Sequence, residues 1–266
     1  MQICFLGAGK IATAITRGLI RKGVFGTDEI IGADISEESA RAFSEITRCE
    51  CLDDITEAVR GSDAVILSVK PQDAKELLQP LHGQVRGKLL ISVAAGLTLE
   101  KLQEWTGTDR VIRVMPNTPA TVDMAASVFC CAPGVSGVER ELAVRMFNAI
   151  GYACELDEDR MDAVTALSGS GPGFIFAYIE AMVETAVELG IKRELAEYLC
   201  VHTVSGSAEM LLRGLGTPEE LREAVTSKDG TTAAGLQTLE DNHFKETIRQ
   251  CLHAAANRSF ELGHED

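Results

Sequence analysis

The feature that most restricts this chain lies at its start. There the apolar run Gln2–Leu6 leads directly into Gly7-Ala8-Gly9-Lys10-Ile11-Ala12 and then into the helical pattern Thr13–Lys22. A strand, a glycine turn and a helix in that order give the string GxGxxA a structural meaning that it lacks alone. Gly7 permits the tight turn, and Gly9 lets the backbone come close to a pyrophosphate, whose charge the unpaired N–H groups of a helix N-terminus stabilise. Ala12 stands where a third glycine is usual, a change tolerated where the helix packs on its strand. The segment is therefore expected to bind a dinucleotide through Gly7, Ala8, Gly9, Lys10, Ile11 and Ala12. The bland alternative is a glycine-rich turn of some other α/β protein.

The pattern continues in kind. Short apolar runs at Glu29–Ala33, Ala64–Val69, Leu89–Ala94 and Val111–Val114 alternate with helical segments. The runs from Ala64 and Leu89 are almost unbroken Val, Ile, Leu and Ala, as in strands buried on both faces. Such alternation predicts a doubly wound parallel sheet of the Rossmann type. After about Arg160 the strand signals stop, and helical patterns run over Pro172–Leu189, Arg193–Arg213, Pro218–Val225 and Lys245–Glu261. Thr217, Pro218 and Glu220 read as a capping box at the start of the third. The expected organisation is an α/β dinucleotide-binding domain, residues 1–158, followed by an all-helical domain, residues 159–266. Long helices with wide apolar faces pair across a dimer axis, so the second domain is expected to carry self-association.

Asp34 ends the second strand. An acidic residue there hydrogen-bonds the adenosine ribose hydroxyls of NAD and repels the 2′-phosphate of NADP. Ile35 follows, with no Arg or Lys before Arg41. The cofactor expectation is NAD(H) or NADP(H), with NAD favoured; the alternative is that Asp34 only caps the helix beginning at Ser36. Ligands bind outside the carboxyl ends of strands in such sheets, which adds Val69-Lys70-Pro71 and Ala94-Ala95-Gly96. Lys70 would touch the cofactor or an anionic substrate, or else remain a solvated surface lysine.

Other classes are disfavoured. A formal charge of −15 is wrong for nucleic acid, where Lys and Arg must neutralise phosphates. None of the eight cysteines forms a CxxC pair, so buried thiols in a reducing cytoplasm are expected and zinc is not. Lys10 and Arg17 interrupt the apolar N-terminus, which argues against a secretory signal. The apolar stretch from Phe174 to Leu189 carries Glu180, Glu184 and Glu188 on one helical face, so it does not read as a membrane span. The five histidines are scattered, and no Ser/His/Asp or Cys/His constellation emerges. Ser168-Gly169-Ser170-Gly171 lacks the preceding strand of a nucleophile elbow; with Pro172 it suggests a helix start packed close to a pocket.

Five segments, in order, resemble the pyrroline-5-carboxylate reductase family across essentially the full length: Val69-Lys70-Pro71, Ser92–Gly96, Arg113–Pro119, Leu167–Pro172 and Thr226–Thr232. The resemblance implies a Rossmann domain joined to a helical domain that interlocks in a dimer, often assembled further into rings of dimers. It implies a small-molecule substrate, a cyclic imine reduced to proline by NAD(P)H. Asn117 lies in the third segment and is carried over as a cofactor residue. By resemblance, the loop of Ser227, Gly230, Thr231 and Thr232 would hold the substrate carboxylate through backbone N–H groups, with the Thr232 hydroxyl beside the imine nitrogen as the catalytic group. Glu158, in Asp157-Glu158-Asp159, is carried over as a substrate residue. Three departures stand out: Asp229 where the family usually has Gly, Ala or Asn, Ala224 where relatives often have Asn, and Asp34 in place of small or basic residues.

A protonated cyclic imine accepts hydride without a strong acid, so the protein need only orient two reactants and exclude water. A β-hydroxyacid dehydrogenase would share this layout but requires a lysine early in the helical half, and none lies between Arg160 and Leu189. A non-catalytic dinucleotide-binding regulator is the other alternative, against which the intact Gly230-Thr231-Thr232 speaks.

Overall fold

The computed structural model describes residues 1–264. The strands are β1 (Ile3–Leu6), β2 (Ile30–Ala33), β3 (Glu50–Leu52), β4 (Ala64–Leu67), β5 (Leu89–Ser92), β6 (Val111–Met115), β7 (Ala125–Cys131) and β8 (Gly151–Glu155). They form one sheet in the order β3-β2-β1-β4-β5-β6-β7-β8. All neighbours are parallel except β6 and β7. The strand order reverses between β1 and β4, which opens a crevice at their carboxyl ends. β1, β4 and β5 are buried at every residue, matching their unbroken apolar composition.

Helices α1 (Lys10–Arg21), α2 (Glu37–Thr47), α3 (Ile55–Arg60), α4 (Pro71–Leu78), α5 (His82–Val85), α6 (Leu99–Thr106) and α7 (Gly137–Asn148) accompany the strands. Ser36, Asp54, Thr98 and Ser136 cap α2, α3, α6 and α7 by accepting backbone N–H bonds, which satisfies donors that a helix start leaves open. Then come α8 (Met161–Val164), a π-helical turn Thr165–Gly169, α9 (Gly171–Glu188), α10 (Arg193–Leu212), α11 (Pro218–Ala224), α12 (Thr231–Asp241) and α13 (Phe244–His264). The Thr217/Glu220 capping box at α11 is present as expected.

Three strands go beyond the sequence expectation. β3 is a short edge strand with an exposed or half-buried face. β7 alternates buried and half-buried positions and runs antiparallel to β6, so the sheet is not wholly parallel. β8 is only partly covered and carries an exposed Tyr152. Strand β4 stops at Leu67 rather than Val69, and just beyond it the Ser68 hydroxyl donates to the carbonyls of Leu6 and Gly7.

The described residues divide into two compact units, residues 1–172 with 253–264 and residues 173–252. The first has a continuous apolar core built on Phe5, Phe43, Phe129, Phe147 and the sheet interior. The core of the second is small: Val183, Ala196 and Cys200 are buried, with Ile179, Ala186, Val187, Ile191 and Val204 against them. That unit exposes Phe176, Tyr178, Tyr198, Leu199, Val201 and Leu212, far more apolar surface than a water-facing helix pair needs.

Within the first unit an ionic network ties four segments. Arg113 on β6, its side chain only 5% exposed, pairs with Glu158 at 3.3 Å and Asp162 at 3.7 Å. Glu158 accepts the Leu99 N–H at the start of α6, and the Ser259 hydroxyl of α13 donates to Asp162 at 2.7 Å. The same end of α13 meets the turn after β5: a Cβ on Gly263 would lie 2.6 Å from the Gly96 carbonyl oxygen. Removing one partner of a buried ion pair costs about 3–5 kcal/mol, and the two carboxylates here reach water. Arg113→Ala is therefore expected to lose about 3 kcal/mol, and Ser259→Ala about 1 kcal/mol, measured by urea denaturation.

Candidate dinucleotide site and substrate loop

The carboxyl ends of three adjacent strands, β2, β1 and β4, converge on one cleft of about 540 Å³. Gly7 and Gly9 follow β1, Asp34 and Ile35 follow β2, and Ser68, Val69 and Lys70 follow β4; Ile55 of α3 and Asp73, Glu76 and Leu77 of α4 complete the lining. Gly7 has φ +95°, and a Cβ there would lie 2.8 Å from Val69 Cγ1, so the β1 turn is pressed against the β4 turn. At Gly9, by contrast, a Cβ would meet nothing within 4 Å. The space before the N-terminus of α1 is open at the point where the backbone is bare, which suits the approach of a pyrophosphate. The residues present fit a dinucleotide.

Asp34 does more than end β2. One carboxylate oxygen accepts the Ala8 N–H at 2.7 Å and the other accepts the Ser36 N–H at 2.8 Å. The cap of α2 is Ser36 itself, so Asp34 is not the helix cap. Its charge is held against the glycine turn, at the edge of the cleft.

The remaining expected cofactor residues are distributed unevenly. Lys10 is exposed at the start of α1, Ile11 is half-buried against the core and Ala12 is fully buried beneath the turn. Pro71 opens α4, with Lys70 before it as an uncapped N-terminal residue. Ala94 and Gly96 are buried; Gly96 has φ +78°, and its missing side chain leaves room for Leu262 of α13, whose Cβ would lie 3.1 Å from a Gly96 Cβ. The Asn117 amide donates to the Ser168 carbonyl and hydroxyl, and its oxygen accepts the Ala126 N–H. It braces the π-helical turn against β7, a task that its sequence motif does not announce. Glu158 is likewise engaged with Arg113 and the Leu99 N–H.

The segment expected to hold the substrate, Ser227–Thr232, lies in the other unit. Ser227 to Gly230 closes a turn, with the Gly230 N–H donating to the Ser227 carbonyl at 3.1 Å. Asp229 sits at φ +56°, the left-handed region that Gly and Asn favour and Asp tolerates. Gly230 is the N-cap of α12 and no side chain caps it. Thr231 and Thr232 are thus the first helical residues, not loop residues, and the Thr232 hydroxyl is not spent on starting the helix.

Sequence reasoning missed Asp73, Glu76 and Leu77. Their signal was that Glu76 and Leu77 follow Asp73 by three and four residues, which sets the three on one side of α4 while Ala74 and Leu78 turn inward to the core. Burial pushes Cys51 up to about 11, and Cys130 and Cys131 up to about 12, so they stay protonated at neutral pH. No cluster of potential metal ligands and no helix long and apolar enough to cross a membrane occurs among the described residues.

Fold and cleft together define a Rossmann-type NAD(P)-dependent oxidoreductase. Residues 158–262 match the pyrroline-5-carboxylate reductase dimerisation family, and residues 2–96 match the family described as NADP oxidoreductase, coenzyme F420-dependent. A pyrroline-5-carboxylate reductase of Arabidopsis thaliana is 43% identical, covering 98% of this chain and 95% of its own. One from Bacillus subtilis is 37% identical over 98% and 95%. The crystal structure of a Plasmodium falciparum pyrroline carboxylate reductase with NADP bound superposes at TM-score 0.90, with 30% identity and 99% and 98% coverage. The chain belongs to the pyrroline-5-carboxylate reductase family.

The two cleft glycines separate folding from binding. Gly9→Ala should leave the melting temperature unchanged and weaken dinucleotide binding at least about tenfold, equivalent to about 1.4 kcal/mol. Gly7→Ala should instead lower the melting temperature, because the strained φ and the Val69 contact both oppose a Cβ. Thermal unfolding and equilibrium titration of each variant check the pair.

Proposed function

We infer that this chain reduces 1-pyrroline-5-carboxylate to L-proline by hydride transfer from NAD(P)H, the last step of proline biosynthesis. The observation that carries this reading is similarity to reductases of that name over 98% of the chain, with Gly230-Thr231-Thr232 intact at the start of α12. The hydroxyacid-dehydrogenase and regulator alternatives gain nothing from the structure.

The bound dinucleotide supplies the hydride. Gly7, Ala8, Gly9, Lys10, Ile11 and Ala12 are proposed to seat its pyrophosphate, Asp34 its adenosine ribose, and Val69, Lys70, Pro71, Ala94, Ala95, Gly96 and Asn117 to shape the rest of its site. NADH is the proposed preference, supported by the Asp34 carboxylate fixed at the cleft edge. Ser227, Gly230, Thr231 and Thr232 are proposed to hold the substrate carboxylate at the N-terminus of α12, where backbone N–H groups and the helix dipole favour an anion. Glu158 is proposed as a substrate residue, its carboxylate oriented by Arg113 and the Leu99 N–H. Holding two reactants in a reactive pose supplies about 7–11 kcal/mol, which is why no strong acid is required.

Thr232 is the proposed catalytic residue. Its hydroxyl accepts a hydrogen bond from the ring N–H⁺ and donates one to the amine as charge on that nitrogen falls. Residues 1–158 act as the dinucleotide domain and 159–266 as the dimerisation and substrate domain. The helical half self-associates; rings of dimers are the proposed assembly, and the exposed apolar residues of α9 and α10 support the dimer step. A cytoplasmic location is proposed on eight free cysteines, as suits a reducing compartment.

Thr232→Ala is expected to slow turnover by about ten- to a hundredfold, equivalent to about 1.4–2.7 kcal/mol, while Thr232→Ser keeps most of the rate. Steady-state reduction of pyrroline-5-carboxylate, normalised to folded protein, checks this; a wild-type rate in the alanine variant would remove Thr232 from the chemistry.

A further inference from the structure

The charged groups lining the dinucleotide cleft are three carboxylates, Asp34, Asp73 and Glu76, and one ammonium, Lys70. Two of the carboxylates come from α4. Ala74 and Leu78 of that helix are buried in the core, which fixes its rotation. Asp73 and Glu76, three residues apart and so on one side of the helix, line the cleft together with Leu77. Both are exposed, so their field reaches into the cleft and is weakened by salt.

A ribose with a free 2′-hydroxyl brings no charge to this wall. A 2′-phosphate would bring a doubly charged group into a cleft whose lining carries three carboxylates and one cation, Lys70. The two oxygens of Asp34 already accept the Ala8 and Ser36 N–H groups, so its orientation is set before any ligand arrives. A ribose hydroxyl must share those oxygens, which limits what one hydrogen bond adds to selectivity. Ile35, 89% exposed, offers an apolar surface beside Asp34 and no cation.

We propose that Asp73 and Glu76 on α4 are specificity determinants that exclude the 2′-phosphate of NADPH by repulsion, acting together with Asp34. The inference rests on the proposed reading of the cleft as the dinucleotide site. It differs from selection by Asp34 alone in requiring that a helix with no ribose hydrogen bond contribute to the preference.

The test is equilibrium titration of the full-length protein with NADH and with NADPH, each at low and at high salt. The expected wild type binds NADH more tightly, and its preference shrinks by about threefold as salt rises past the point where the Debye length falls below about 8 Å. In Asp73→Asn/Glu76→Gln the affinity for NADPH relative to NADH should rise by about tenfold, the scale expected for removing two nearby like charges. A double variant that keeps the wild-type ratio overturns the role of α4. So does an Asp34→Ser variant that by itself erases the whole preference. Tighter wild-type binding of NADPH than of NADH overturns both this inference and the proposed NADH preference, whereas binding of neither points to failure of the cleft assignment itself.

Discussion

Much of this structure depends on how closely the ends of β1, β2 and β4 approach one another. Gly7 takes a left-handed conformation, and the position of its missing Cβ is 2.8 Å from Val69. Ser68 then hydrogen-bonds back to Leu6 and Gly7, and Asp34 reaches across to Ala8. Three separate strands are thus pinned within hydrogen-bonding reach of a single turn. Only with that turn in place does the α1 N-terminus open onto the cleft with Gly9 bare in front of it. The chemistry asked of the protein is orientation, and orientation is what such a rigid junction provides.

Charge is distributed with the same logic. The acidic surface of the protein is carried into the cleft by Asp34, Asp73 and Glu76, while the buried Arg113 is matched by Glu158 and Asp162. That pairing holds the start of α6 and the end of α13 to the core of the first unit. The glycine-to-glycine contact between Gly96 and Gly263 belongs to the same junction. The small core of the helical unit has the opposite character: its exposed Phe, Tyr and Leu side chains leave burial to be completed by self-association, which the match to a dimerisation family explains.

A large part of this was legible in the residues. Strands β1, β4 and β5 show as unbroken apolar runs because they are buried on both faces, and the glycine turn and the capping box at α11 carry their own geometry. Strands β3 and β8 were not legible, since short edge strands bury too little to leave a pattern. The antiparallel turn into β7 depends on a long-range pairing with β6. In the candidate site, Gly7, Gly9, Asp34, Val69 and Lys70 lie together as their motifs suggested. The work of Asn117 and Glu158 was hidden, because their partners Ser168, Ala126, Arg113 and Leu99 are distant in sequence. The cleft-facing side of α4 was hidden for a different reason: charged residues on a short helix look like any solvated face until the sheet sets the helix's rotation.

The central proposal is that the glycine turn seats the dinucleotide and that the Ser227–Thr232 segment holds the substrate. A crystal structure of the assembled protein with proline and NAD tests it most directly. The account predicts the pyrophosphate at Gly9 and the α1 N-terminus, the nicotinamide toward the Ala94–Gly96 turn, and the proline carboxylate on the backbone N–H groups at the start of α12 with its ring nitrogen at Thr232. A dinucleotide bound away from Gly9, or proline bound without contact to the Ser227–Thr232 segment, would contradict it.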